Sequence, residues 1–497
     1  MARLLFLQNI WVEFLGTMSL AAIARQAGHE VGIAIGSDID LLKQIKEFRP
    51  DVAAFSIVTG YHHWALAMAR RIKETCQPPP LIVAGGPHAT FFPEIADLPE
   101  IDVLCRGEGE GALLDILAAG RDAKALEIIP NVWLKRDGQR IENRLRPLIQ
   151  DLDALPFMDR TGYYQWKHLR NNPVKRFMSG RGCPHECAFC FNHSYKELYR
   201  DGGPYVRKRS PANLIEELQH VTRAYPTKTV LFEDDLFGAD RVWLSDFVRL
   251  YRDHVRLPFI CFLRADMIDG QLVRDLKEAN CINVVFGVES GDERLRNDVL
   301  GKHLTDDQIF FAGRMLRKHG VNFCTTNILG LPGETLEQAV STIRMNLRLR
   351  PTFIWCSVFQ PYPRTKLGNQ LLASGAVTLE ELEQIDANYH NLSVLQQPDI
   401  HRSVNLHKLI YIVFAFPWLL SAAVKLSALP PNPLFKLLHR LSFLEIYARR
   451  WNISLWRAAQ EGIRTAGFSR RPGASEQSMA PPDRRCVGPG AQDSVSK

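Results

Sequence analysis

Hydrophobic and polar positions along this chain change their period several times, and the changes divide it. Over the first ~125 residues, short apolar runs at 4–7, 31–35, 52–57, 81–84 and 103–104 alternate with amphipathic stretches at 15–27, 39–48 and 64–75. Runs that are apolar on both faces predict buried parallel strands, and parallel neighbours need a crossover helix between them. The expectation for 1–127 is therefore α/β, a doubly wound, Rossmann-like sheet. Residues 128–166 read as a connector, with a small hairpin at 131–135 and 141–143 around Asp137-Gly138. Strand–helix alternation resumes over 167–375, with apolar runs at 229–233, 259–263, 284–288, 325–329 and 357–360.

Residues 376–465 read as a helical C-terminal region. An uncharged apolar run at 409–424 is interrupted by Pro417 and falls below the ~18 residues that suggest a membrane span. After Pro430-Pro-Asn-Pro433, Leu434, Leu437, Leu438, Leu441 and Leu444 share one helical stripe, with Lys436, His439, Arg440, Arg449 and Arg450 among them. Such a helix caps a core or covers a substrate; the alternative is peripheral membrane contact through 409–451. The stretch 466–497, rich in Pro, Gly, Ser, Arg and Gln, reads as a disordered tail.

Composition narrows the class without naming a function. A chain of 497 residues can bury several cores. Its formal charge of +7 is modest and spread along the chain, so no nucleic acid partner is expected. Seven of ten cysteines are isolated, which argues against a disulfide framework and suits a reducing cytoplasm. The apolar run at the N-terminus is too short for a signal peptide and reads as a strand.

The chemistry-bearing residues fall at predicted strand ends and in one loop. Ligands of open parallel sheets sit beyond the carboxyl ends of the strands. There the first unit carries Ser56 and Thr59, Gly85-Gly86-Pro87-His88, and Arg106-Gly107-Glu108-Gly109-Glu110. Each set alone suits a plain turn; three at successive ends point to a ligand. The second unit carries Glu233-Asp234-Asp235, Arg264, Glu289-Ser290-Gly291, Gly330-Leu-Pro-Gly-Glu334 and Pro361-Tyr-Pro-Arg-Thr365. Three acids after a buried strand suit a helix N-cap, or a cation nearby. Arg264 would face an acid, either of a ligand or of the protein. Glu334 reads as a helix cap before it reads as a ligand. The loop is Arg181-Gly-Cys-Pro-His-Glu-Cys-Ala-Phe-Cys190. Three thiolates can hold three irons of a four-iron cluster and leave the fourth open. Zinc with His185 or His193 as a further ligand, or a disulfide loop, remain alternatives on local sequence.

The spacing of Cys183, Cys187 and Cys190 resembles that of the radical S-adenosylmethionine (SAM) enzymes, and the resemblance extends to the five strand ends behind it. It implies a partial (β/α)6 barrel of TIM type, a [4Fe–4S] cluster on the three cysteines, and SAM on the open iron. Reductive cleavage of SAM gives a 5′-deoxyadenosyl radical in that family, and calls for a reducing partner such as flavodoxin or ferredoxin. By the same resemblance Phe189 covers the cluster or contacts adenine, unless it is simple loop packing. Asp234 and Asp235, with Glu233 behind, meet the SAM ammonium; Arg264 meets the SAM carboxylate or a substrate acid. Glu289 and Ser290 meet the ribose and the carboxylate. Lys302 also fits the pattern. Arg364 stands where relatives often have glycine, and would mark an anionic substrate.

The first unit resembles the cobalamin-binding domain that precedes many such enzymes, through Ala84-Gly-Gly-Pro-His-Ala-Thr90 and Arg106-Gly-Glu-Gly-Glu110. It implies that Ser56, Thr59, Gly85, Gly86, His88, Gly107 and Glu108 line the cofactor. The Asp-x-His-x-x-Gly motif that gives cobalt a histidine elsewhere is absent, and the loop from Gln8 to Gly16 offers none. His62 or His63 could lie near cobalt, though loop histidines are commoner. The function expected from this architecture is methyl transfer from methylcobalamin to an unactivated carbon of a small-molecule or lipid-like substrate. The runner-up is a cyclase of the anaerobic Mg-protoporphyrin type. A transfer-RNA methylthiotransferase would ordinarily bring more N-terminal cysteines than Cys76 and Cys105.

Overall fold

Parallel pairing of short, doubly buried strands organises both halves of the chain. The computed structural model describes residues 1–385, 393–451 and 455–456, so the expected tail at 466–497 lies outside the described residues. The N-terminal sheet comprises β1 (Arg3–Gln8), β2 (Glu30–Ile35), β3 (Val52–Ser56), β4 (Leu81–Gly85), β5 (Val103–Cys105), β6 (Val132–Arg136) and β7 (Gln139–Glu142). Its order is β2-β1-β3-β4-β5-β6-β7, with β1 to β5 parallel. β6 pairs antiparallel with β5, so the hairpin expected in the connector extends this sheet instead. Alternating side chains feed two cores, one per face: Leu4, Phe6, Met18 and Val83 on one, Leu5, Leu7, Phe55 and Met68 on the other.

Helix boundaries follow local chemistry. Ser37 and Asp40 form a reciprocal cap at helix Asp38–Phe48, and Thr335 with Gln338 does the same at helix Leu336–Leu349. Glu334, expected as that cap, turns back instead and accepts the Gly330 N–H at 2.5 Å.

The second sheet is six-stranded and wholly parallel: β8 (Val174–Phe177), β11 (Thr229–Phe232), β12 (Phe259–Leu263), β13 (Cys281–Glu289), β14 (Asn322–Leu329) and β15 (Phe353–Val358), in that spatial order. It is the expected partial barrel. A short antiparallel pair, β9 (Gly180–Arg181) and β10 (Arg207–Lys208), brackets the cysteine loop. Helix Ile400–Ala415 covers the β14–β15 edge, burying Leu406, Leu409, Ile410 and Tyr411 against Ile354 and Cys356. Among the described residues no helix is long and apolar enough to cross a membrane.

Candidate active site

The cysteine loop is held at its centre and at its exit. The Ala188 N–H donates to the Leu300 carbonyl at 2.8 Å, and the Leu367 N–H donates to the Ala188 carbonyl at 2.8 Å. Phe189 packs with Ala188, Leu300, Leu331 and Phe359, at the ends of β14 and β15. Cys190 caps helix Phe191–Leu198, and Asn192 aims both its backbone N–H (3.5 Å) and its side-chain amide (3.6 Å) at the Cys190 sulfur. An Arg264 guanidinium nitrogen lies 4.0 Å from the Cys187 sulfur. All three thiols are free and partly accessible.

This donor set fits an iron–sulfur cluster. Burial, then Asp235 and the two sister thiols, pushes the Cys183 thiol up to about 11, so a cationic metal centre is what would ionise it. Among the described residues no three His, Cys, Asp or Glu side chains converge to hold one ion. A single zinc needs that convergence, whereas thiolates of a cubane each take a different iron. His193 is also engaged, its Nε2 accepting the Lys366 N–H at 2.7 Å.

The acids behind the loop separate into different roles. Asp234 is buried and saturated: both oxygens accept the Ser179 N–H (3.2 and 3.1 Å), and Lys208 Nζ lies at 3.3 Å. It ties the end of β11 to the end of β8. Glu233 pairs with Arg176 at 2.9 Å. Asp235 is exposed at its surface yet walled by protein, which raises its pKa, with Asp234 adding to the effect. A solvent-reachable, desolvated carboxylate beside thiols suits a cation such as an ammonium. Arg264 is buried, its Nε–H shared between both Asp266 oxygens at 3.0 Å, and it donates to the Lys302 and His303 carbonyls. It therefore splices the β12 end to the loop after β13.

Glu289 ends β13 with φ +63° and accepts Lys302 Nζ at 2.7 Å and the Thr326 hydroxyl at 3.2 Å. Gly287 is required beneath it, since a Cβ there would overlap the Glu289 carboxylate and Lys302 Nζ. Ser290 is wholly buried and its hydroxyl accepts the Asp292 N–H at 3.2 Å. Arg364 pairs with Glu94 of the N-terminal unit, at φ +67°, a conformation glycine adopts freely.

The strand ends of the N-terminal unit divide into a polar strand-end surface and a clamp. On the first, Gly86 at φ +91° brings the chain against β3: a Cβ would sit 2.8 Å from the Ile57 nitrogen and 3.1 Å from the Ser56 hydroxyl. Thr59 Oγ1 lies 3.2 Å from His88 Nδ1, while the buried His88 Nε2 has no hydrogen-bond partner. His88 stacks on His62 at 4.1 Å, and His62 lies 3.9 Å from His63. Burial and mutual repulsion push His62 down to about 4 and His88 to about 2, so both are neutral at pH 7. Ser56, Thr59, Gly85, Gly86 and His88 thus share one polar strand-end surface with an orphaned nitrogen, a set that fits an amide-rich corrinoid.

On the clamp side, Gly107 and Glu108 face protein. A Cβ on Gly107, at φ +71°, would overlap the Tyr199 hydroxyl, which accepts the Glu108 N–H at 3.0 Å. Glu108 accepts Arg181 at 2.8 Å and Arg207 at 2.9 Å, and Glu110 accepts Arg181 at 2.6 Å. Phe91 stacks on Phe191 at 4.7 Å. Arg181 stands two residues before Cys183, so the N-terminal strand ends grip the base of the cysteine loop. Arg181, Arg207, Tyr199 and Asn192 were not singled out by the sequence; the proximity of Arg181 to the cysteines was the available signal.

The profile of the radical SAM superfamily matches residues 177–345, and that of the B12-binding domain matches residues 12–117. An uncharacterized methyltransferase of Pyrococcus horikoshii is 30% identical over 72% of this chain and 78% of its own length. The chain belongs to the cobalamin-binding radical SAM enzymes. The cofactors of that pair of domains are a [4Fe–4S] cluster, SAM and cobalamin. An anaerobic magnesium-protoporphyrin IX monomethyl ester cyclase of Cereibacter sphaeroides is 25% identical over 76% of this radical SAM enzyme, which spans 63% of the cyclase. Among solved structures, the methyltransferase TsrM of Kitasatospora setae superposes with TM-score 0.61 at 16% identity, covering 76% of this chain and 77% of that one. The cobalamin-dependent enzyme OxsB gives TM-score 0.66 at 14% identity, over 94% and 79%. Both share the fold.

Proposed function

We propose that this radical SAM enzyme is a methyltransferase that moves a methyl group from methylcobalamin to an unactivated carbon of a small-molecule or lipid-like substrate. The observation that carries this reading is the clamp: Glu108 and Glu110 on Arg181 hold the corrinoid-binding strand ends against the base of the cysteine loop. A methyl donor is useful only where the substrate radical arises. The name of the Pyrococcus relative supports the same reading.

When bound, the cluster and SAM supply a hydrogen-abstracting radical and cobalamin supplies the methyl group. Cys183, Cys187 and Cys190 hold the cluster, with Asn192 and Arg264 donating toward two of the sulfurs. Asp235 receives the SAM ammonium, leaving Asp234 to brace Ser179. Glu289, fixed by Lys302 and Thr326, would accept ribose hydroxyls, and Ser290 and Arg264 would support the SAM carboxylate. Phe189, packed beside Leu300 and Phe359, would shield the cluster loop from solvent. Ser56, Thr59, Gly85, Gly86 and His88 line the corrinoid, and Gly107 and Glu108 act by holding the clamp. Electrons come from a flavodoxin- or ferredoxin-type donor.

The test is mass spectrometry of products from anaerobically reconstituted protein with methyl-labelled SAM, cobalamin and extracts containing the substrate. Label in a metabolite supports methyl transfer. Turnover without label transfer overturns it in favour of an oxidative or cyclase-type reaction, the second reading that the Cereibacter relative favours. Cys183, Cys187 and Cys190 replaced together by alanine should remove the cluster's visible absorption and bound iron.

A further inference from the structure

The C-terminal helices have one face in the barrel and one face in solvent. Inward, Phe435, Leu438 and Phe443 of helix Pro433–Trp451 join the core beneath helix Ile400–Ala415, with the Phe443 ring 5.5 Å from Tyr411 and 5.8 Å from Trp355. Outward, the chain exposes Phe416 and Trp418 (77% accessible) on the turn Pro417–Leu419, Leu426 and Leu429 after it, and Leu434, Leu437 and Leu441 along the last helix. Scattered exposed leucines need no explanation, but seven large apolar side chains exposed between Phe416 and Leu441 are more than scatter and mark an interaction surface.

Charge says which surface it fits. Lys425, Lys436 and Arg440 are exposed among these side chains. Between Ile400 and Trp451 the chain carries seven Lys or Arg and a single acid, Glu445, although the whole chain holds 61 basic and 54 acidic residues. A protein interface of ordinary composition would mix the signs. An anionic bilayer wants apolar and aromatic side chains at headgroup depth with only cations beside them.

We propose that this face docks the enzyme on anionic lipid membranes, with Phe416, Trp418 and the outer leucines entering the headgroup region and Lys425, Lys436 and Arg440 on the phosphates. Helix Ile400–Ala415 runs antiparallel to β15, setting Tyr411 against Phe353 at its start and His407 on the Cys356 carbonyl at 3.0 Å. Phe416 and Trp418 therefore project past the amino ends of the strands, while Asn405 near the start of that helix bonds the Ser427 and Leu429 carbonyls, so the exposed side chains are spread along the length of the helix on the outer side of the barrel. The inference does not depend on the reaction proposed above.

The experiment is flotation of the full-length reconstituted protein with phosphatidylcholine vesicles, and with vesicles of phosphatidylcholine mixed with phosphatidylglycerol. The protein should float with the mixed vesicles and much less with the neutral ones. Lys425→Glu, Lys436→Glu and Arg440→Glu together should lower partitioning about a hundredfold, given the contribution of each basic residue near an anionic surface. Quenching of tryptophan emission by brominated lipid should fall in Trp418→Phe by the share that Trp418 contributes among nine tryptophans, while the circular dichroism melting profile stays as in the parent. No flotation with anionic vesicles, or equal flotation of the charge-reversed variant, overturns the proposal. So does concentration-dependent dimerisation abolished by Phe416→Ser and Trp418→Ser, which would assign the face to a second copy of the chain.

Discussion

Replacing Gly107 by alanine separates the two readings of that residue, corrinoid lining and interdomain packing. At φ +71° an alanine pays left-handed strain of ~1–2 kcal/mol. Its methyl would also overlap the Tyr199 hydroxyl and lie 2.8 Å from ring carbon Cζ, an overpacking that costs ~1–3 kcal/mol. The expected loss in the apoprotein is about 2–5 kcal/mol. Tyr199→Phe removes the worst overlap but also the acceptor of the Glu108 N–H, a loss of ~1 kcal/mol alone. The double variant should therefore be more stable than the sum of the single effects predicts, by ~1–3 kcal/mol. Urea unfolding of the four apoproteins, followed by tryptophan fluorescence, measures that coupling. Gly107→Ala with unchanged apoprotein stability and weakened cobalamin binding would refute the packing argument and return the glycine to the corrinoid.

The remaining expectations concern charge. Arg181→Ala strands Glu110 and weakens Glu108, both nearly buried, and should cost ~3–5 kcal/mol in unfolding experiments; exchanging the partners, Glu110→Arg with Arg181→Glu, should recover part of it. His62 and His88 have pKa values depressed by burial to about 4 and about 2, so the unfolded chain binds protons that the folded chain refuses. Their contribution is present above pH ~6.5 and should be lost on acidification by about 1.4 kcal/mol per pH unit for each histidine. It should fade for His62 below about 4, and urea midpoints at pH 7 and 5 should converge in His62→Phe/His88→Phe. Glu334, raised by burial to about 8, favours the fold below its unfolded value and loses that contribution as pH rises toward 8. Glu334→Gln should therefore be nearly neutral below pH 4.5, more stable than the parent at pH 7, and without that pH dependence, while Glu334→Ala leaves the Gly330 N–H unpaired at ~1–3 kcal/mol.

What the sequence determined by itself is whatever depends on neighbours along the chain. Strand and helix periods at 31–35, 81–84 and 259–263 match β2, β4 and β12 within a residue, because side chains buried on both faces leave an uninterrupted apolar run. The three cysteines were legible for the same reason: one loop supplies all of them. Periodicity located the hairpin at Asp137-Gly138 but not its partner, since an antiparallel edge strand pairs with whichever neighbour the fold brings to it. Tertiary structure alone decided how side chains at the strand ends divide their work. Asp234 and Asp235 are adjacent in sequence, yet Ser179 and Lys208 saturate one while the other faces solvent between protein walls. Gly107 and Glu108 looked like Gly86 and His88, glycine and polar residues after a buried strand. Only the arrival of Tyr199, Arg181 and Arg207 from the second unit turns the first pair into a clamp and leaves the second without such partners. A hydrogen bond or ion pair across 70 to 100 residues leaves no period in the sequence, because its partners are set by the packing of two sheets.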